Sequence, residues 1–89
     1  MLTVMVVDDD YLVLKGIKKT IKWQENGFEI VGEALNCEEA IDVFKEKNPD
    51  IIITDIRMGE GNGLDLVAEI KELKPDVEFV IISGYEQFD

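Results

Sequence analysis

Four apolar runs punctuate the chain, and each of the first three is followed by a stretch with helical spacing. Leu2-Thr3-Val4-Met5-Val6-Val7 is continuously apolar, which suits a central strand of a parallel sheet covered on both faces. Val13, Leu14, Ile17 and Ile21 then recur at helical spacing among Lys15, Lys18, Lys19 and Lys22, predicting a helix with one apolar stripe. Its lysine-rich end and the following Gly27 are what a helix C-terminus favours, with Trp23 and Phe28 closing the junction. Phe28 to Ala34 alternates enough to be a strand with one polar side, nearer the sheet edge. Asn36 followed by Glu39 marks a helix start; Ala40, Ile41, Val43 and Phe44 face inward, and Pro49 lies past its end.

The third run, Ile51-Ile52-Ile53-Thr54-Asp55-Ile56-Arg57-Met58, is the most informative. Branched residues between turn signals predict a strand buried on both faces, and it stops abruptly at Asp55. After the glycine-rich Gly59-Glu60-Gly61-Asn62-Gly63, Asn62 is placed to cap a third helix bearing Leu64, Val67, Ala68, Ile70 and Leu73, which ends before Pro75. Val77 to Ser83 reads as a fourth strand. Strand and helix alternate with short connections, the signature of an α/β doubly wound parallel sheet with four strands and three helices.

Composition narrows the function classes. Eighty-nine residues with 46% apolar and 33% charged side chains make one globular domain at most. No apolar run approaches the ~20 residues of a membrane helix, and no basic-then-apolar leader begins the chain, so a cytoplasmic protein without membrane contact is expected. Nine basic against twenty acidic residues give a net charge of -11, which argues against nucleic-acid binding by this segment. The single cysteine, Cys37, is read as a small half-buried side chain.

The acids carry the candidate chemistry. Asp8 and Asp9 end one central strand and Asp55 ends its neighbour, so these carboxylates converge on the rim where ligands bind to open parallel sheets. Like charges held together raise one another's pKa, and a hard divalent cation is the usual relief. An all-oxygen donor set favours Mg²⁺, and a chain with no histidine and a distant cysteine does not suit zinc. The blander alternative is that Asp8 to Asp10 merely cap the first helix.

Val6-Val7-Asp8-Asp9, then Ile53-Thr54-Asp55-Ile56-Arg57-Met58 with Asn62-Gly63-Leu64, then Ile81-Ile82-Ser83-Gly84, resemble the receiver domain of two-component response regulators. The resemblance covers the whole chain in order and spacing. It implies a flavodoxin-like sheet with strand order 2-1-3-4, and residues 1–89 as one receiver domain that is incomplete at its C-terminus. By the same resemblance Asp55 accepts a phosphoryl group from the phosphohistidine of a sensor histidine kinase. Mg²⁺ would be ligated by the side chains of Asp9 and Asp55, by the Arg57 backbone carbonyl and by Asp8 through water. Ser83 would contact the phosphoryl group and act as the switch. The family is a self-modifying acceptor and not a turnover enzyme. The tail from Ser83 to Phe88 is similar to receivers joined to arabinose-regulator-type DNA-binding domains, which implies transcription regulation as the output. Gly59 stands where many receivers have proline.

Rival readings fit less well. A dinucleotide-binding fingerprint would need glycine where Leu64 stands, and a haloacid-dehalogenase-type phosphohydrolase would need an acid at Arg57. The remaining alternative is a receiver-like module that binds partners without phosphotransfer. A complete receiver continues with a further helix, a strand ending in a phosphoryl-pairing lysine, and another helix. With those segments absent, Val4, Val6, Ile51, Ile53, Val80 and Ile82 are expected to be partly bare, and the chain to form a homodimer or otherwise self-associate through that sheet face or through the fourth-strand edge.

Overall fold

The computed structural model describes the backbone of residues 1–55, 57–58 and 61–82, and the side chains of residues 1–55 and 65–81. Ser83 therefore lies outside the described residues, as do the side chains of Arg57 and Asn62.

The four strands β1 (Leu2–Val7), β2 (Phe28–Ala34), β3 (Ile51–Asp55) and β4 (Glu78–Ile82) form one sheet in the order β2-β1-β3-β4. All three pairings are parallel. The helices α1 (Tyr11–Thr20), α2 (Cys37–Lys47) and α3 (Gly63–Leu73) supply the crossovers. Just after β3, Arg57–Met58 pairs antiparallel with Gly61–Asn62 in a two-residue ladder.

Because side chains alternate along a strand, the two faces of the sheet carry different cores. Met5, Val7, Ile52 and Phe79 meet α2 and α3 through Ala40, Phe44, Leu66 and Ile70. Val4, Val6 and Ile53 meet α1 through Leu14 and Ile17, with Trp23, Phe28 and Ile30 filling beside them. The expectation that Val4, Val6 and Ile53 would be left partly in water is thus corrected. They are 1%, 0% and 8% exposed, because the aromatic pair Trp23–Phe28 and Ile30 extend the cover that α1 begins. Exposure on that face falls on β4, where Val80 is 50% exposed.

The end of α1 also differs from expectation. The helix stops at Thr20, and Gly27, at φ 86, terminates a separate single turn over Gln24–Asn26. Glycine suits that left-handed position, and the turn feeds the chain into β2 through a bond from Leu2 N–H to the Gly27 carbonyl. Trp23 closes the α1 end by donating its indole N–H to the Ile17 carbonyl and meets Phe28 edge-on at 6.2 Å. At α2 the predicted cap is present: Asn36 Oδ1 accepts from Glu39 N–H at 2.8 Å, while Glu39 Oε1 accepts from Leu35 N–H at 3.0 Å.

The inward face of α3 is Leu66 and Ile70, at i and i+4; of the predicted stripe Ile70 is buried and Val67 half-buried, and the Leu64 side chain lies outside the described residues. Ala68 is exposed and Leu73 is 51% exposed. The segment is apolar on several sides, so spacing alone does not single out one face; packing against the sheet and α2 does. At Gly32 in β2, a Cβ would come within 2.5 Å of Val43 Cγ1, so α2 sits closer to the sheet there than an alanine permits.

Candidate functional site

The acid rim follows from strand register. Val7 pairs with Thr54, which sets the next residues, Asp8 and Asp55, side by side at the ends of β1 and β3. One carboxylate oxygen from each of Asp8, Asp9 and Asp55 lies within 4.8 Å of the others. Asp8 is buried, Asp55 half-buried and Asp9 exposed. The apolar strands beneath fix the backbone of this rim, since Val6, Val7 and Ile52 are fully buried and Thr54 is fully buried with its hydroxyl donating to the Asp55 carbonyl at 3.1 Å.

Asp8 and Asp10, two residues apart in the same triplet, do different work. Asp10 is the N-cap of α1, its Oδ1 accepting from Leu12 N–H at 2.9 Å. Asp8 Oδ1 accepts from Asp10 N–H at 2.9 Å, and Asp8 N–H donates to the Ala34 carbonyl, so its backbone continues the β1–β2 ladder into the rim. The capping reading of the triplet is correct for Asp10 and does not account for Asp8 or Asp9. Burial pushes the Asp8 carboxyl up from its ordinary value; the bond from Asp10 N–H opposes this, and the charges of Asp55 and Asp9 add to the rise. The protein thus holds a carboxylate where its charge is disfavoured unless a cation neutralises the cluster.

The donor set suits a hard cation. Three carboxylates converge, all donors are oxygen, and the chain has no histidine. Cys37, half-buried as expected, lies between α2 and α3 and not at this rim. Arg57 follows Asp55 by two residues, and its backbone is held in the short ladder opposite Asn62. The predicted metal and phosphoryl residues thus divide into Asp8, Asp9 and Asp55, which the fold brings together, Arg57, placed by its backbone alone, and Ser83, which lies outside the described residues.

Comparisons with known proteins agree with this geometry. The family model of the response regulator receiver domain matches residues 4–89. The chain is 33% identical over 89 residues to the transcriptional regulatory protein YesN of Bacillus subtilis, covering 100% of this chain and 24% of that protein. Among solved structures it is similar to a two component transcriptional regulator AraC from Clostridium phytofermentans, with a TM-score of 0.90, 31% identity and coverage of 99% of this chain and 68% of that one. It is also similar to a structure described as the CheX-CheY-BeF3-Mg+2 complex from Borrelia burgdorferi, with a TM-score of 0.80, 30% identity and coverage of 98% and 66%. The chain belongs to the receiver domain family of two-component response regulators. It spans about a quarter of the length of YesN. Among the described residues, no helix is long and apolar enough to cross a membrane.

Proposed function

We propose that this receiver domain takes a phosphoryl group on Asp55 from the phosphohistidine of a sensor kinase, and that the modification controls transcription through the longer protein of which such domains are part. The observation that carries the reading is the convergence of Asp8, Asp9 and Asp55 at one rim of the sheet. An Asp55 carboxylate oxygen attacks phosphorus; the P–O bond forms as the P–N bond breaks, and the imidazole leaves and recovers its proton. A carboxylate is a poor nucleophile toward an anionic phosphoryl group unless the repulsion is screened. Mg²⁺ held by Asp8, Asp9, Asp55 and the Arg57 carbonyl would supply that neutralisation. Asp55 is suited to the role by its place at the end of a buried strand, whose packed residues Ile52, Ile53 and Thr54 hold its backbone at the rim. Ser83, the residue after β4, is assigned the contact with a phosphoryl oxygen and the switch that follows.

The alternative of a binding module that never accepts phosphate gives no reason to hold Asp8 buried against two other carboxylates. Transcription as the output draws on the relatives' descriptions, YesN and the Clostridium regulator among them. A cytoplasmic setting follows from that role, and the charge of -11 leaves nucleic-acid contact to other parts of such proteins. Self-association belongs on the β4 side of the sheet, where Val80 and Ile81 are 50% and 38% exposed, and concentration-dependent sedimentation tests it.

The phosphoryl assignment is tested with a small-molecule phosphodonor and Mg²⁺ on the full-length protein carrying this domain, read as a mass gain of one phosphoryl group. Labelling that Asp55→Asn removes supports it, and undiminished labelling of Asp55→Asn overturns it.

A further inference from the structure

Helices α2 and α3 leave a cleft of about 330 Å³ between them, and none of Asp8, Asp9 and Asp55 lines it. Its floor is Ile41 and Leu66, with Cys37 at one end, and its walls are two acidic rows. Glu38 and Asp42 stand at i and i+4 on α2, and Asp65 and Glu69 at i and i+4 on α3, so each pair shares a helix face. Among the described residues no lysine or arginine lines the cleft, and Glu38, Asp42 and Glu69 enter none of the ion pairs among them. Glu38 and Asp65 lie in the first turns of their helices, where the helix dipole accounts for an acid. Asp42 and Glu69 lie beyond the first turn, where it does not. The negative field reaches inside: after burial, the charges of Asp65 and Glu69 push the Cys37 thiol up.

We propose that this cleft docks a cationic amphipathic helix of a partner protein, its apolar side chains on Ile41 and Leu66 and its lysine or arginine heads on the two carboxylate rows. The apolar floor would be wasted on a free metal ion, whereas the stem of an arginine or a neighbouring leucine uses it. A second copy of the chain has a suitable segment in Tyr11–Lys22, which carries four lysines and no acid. Two molecules of net charge -11 repel, however, so the balance of charge favours a basic partner over a second copy. The cleft opens near the first turns of α2 and α3, at the end of the sheet that carries Asp8 and Asp55, so an occupant would be held beside the acid rim.

The probe is a synthetic amidated helical peptide with leucines on one face flanked by arginines, titrated without Mg²⁺ or phosphodonor, so that failure here leaves the phosphoryl reading intact. Binding is read by fluorescence anisotropy and by backbone amide shifts. Two triple variants change net charge equally: E38Q/D42N/E69Q inside the cleft and E25Q/E46Q/E72Q outside it. All six residues are exposed, so both proteins should fold. The proposal expects the cleft triple to weaken binding about tenfold and the outer triple less than about twofold, with amide shifts centred on Ile41 and Leu66. Equal weakening in both triples, shifts centred on Asp8 and Asp55, or no binding at all would overturn it. So would sedimentation showing that the chain alone associates through this cleft, since the occupant would then be a second copy.

Discussion

At the rim where the strands begin, Asp50 Oδ2 accepts from Thr3 N–H at 2.9 Å and from Thr3 Oγ1 at 3.0 Å, and Lys74 Nζ stands 3.9 Å from Oδ1. At the rim where they end, Asp8 is buried against Asp9 and Asp55 and receives one backbone bond. The same side chain is driven in opposite directions. The Thr3 backbone and hydroxyl bonds hold the Asp50 carboxyl below its ordinary value, with Lys74 adding to them, while burial and then like charge push Asp8 above it. One rim is a finished clamp that ties β1 to β3 and to the end of α3. The other brings three carboxylates within 4.8 Å of one another, with the buried Asp8 pushed up by burial first and then by its neighbours' charge. A carboxylate at a strand tip is therefore not informative by itself; what surrounds it separates a structural staple from a site.

The largest expected effect that tests this contrast is on phosphorylation. Asp55→Asn should abolish labelling of the full-length protein, whereas Asp50→Asn should leave it intact; equal loss in both would mean that the two rims are not functionally distinct. Stability without Mg²⁺ should then move in opposite senses. Asp8→Asn keeps an acceptor for Asp10 N–H while removing a repelling charge, so its melting temperature should rise at neutral pH. Asp50→Ala should lower it, because Thr3 loses the acceptor of both its bonds.

Acid titration in chelator sharpens the comparison further. The native state holds the Asp8 proton more tightly than the unfolded chain does, so stability should rise as pH falls from Asp8's raised value to the ordinary carboxylate value. Asp50 works the other way: its contribution is complete above the ordinary value and is lost as pH falls through its lowered native value. Unfolding followed against pH should therefore show a maximum in the acid range, with Asp8→Asn losing the rise and Asp50→Asn softening the fall. The smallest effect is expected from Lys74→Met. It removes a bond to the Pro49 carbonyl at 3.1 Å and a long ion pair, together worth about 1 kcal/mol in a denaturant melt.

The strands and the acid rim were legible in the sequence because continuous branched runs ending in acids leave little choice of element or end. Strand order came from resemblance, and the register that sets Val7 beside Thr54 and Asp8 beside Asp55 agrees with it. Other features depend on packing that pattern does not encode. Leu66 sits in a segment that is apolar on several sides, so only the neighbouring α2 and sheet select the face it shares with Ile70. Trp23, Phe28 and Ile30 read as junction and edge residues, yet they cover Val4 and Val6 beside α1. The Asp50 clamp joins residues 47 apart in sequence, and a turn signal at Asn48-Pro49-Asp50 gives no hint of its partner.

If the Asp8, Asp9 and Asp55 rim is a cation site and the Asp50 rim is not, a Mg²⁺ titration followed by equilibrium unfolding separates the two rims. A ligand that binds only the folded chain stabilises it by about 2.7 kcal/mol at a hundredfold excess over its dissociation constant. The wild-type protein and Asp50→Asn should both show the shift, Asp10→Ala should keep most of it, and Asp9→Ala should lose it. A wild-type stability indifferent to Mg²⁺, or an undiminished shift in Asp9→Ala, would mean that the three carboxylates do not form a cation site.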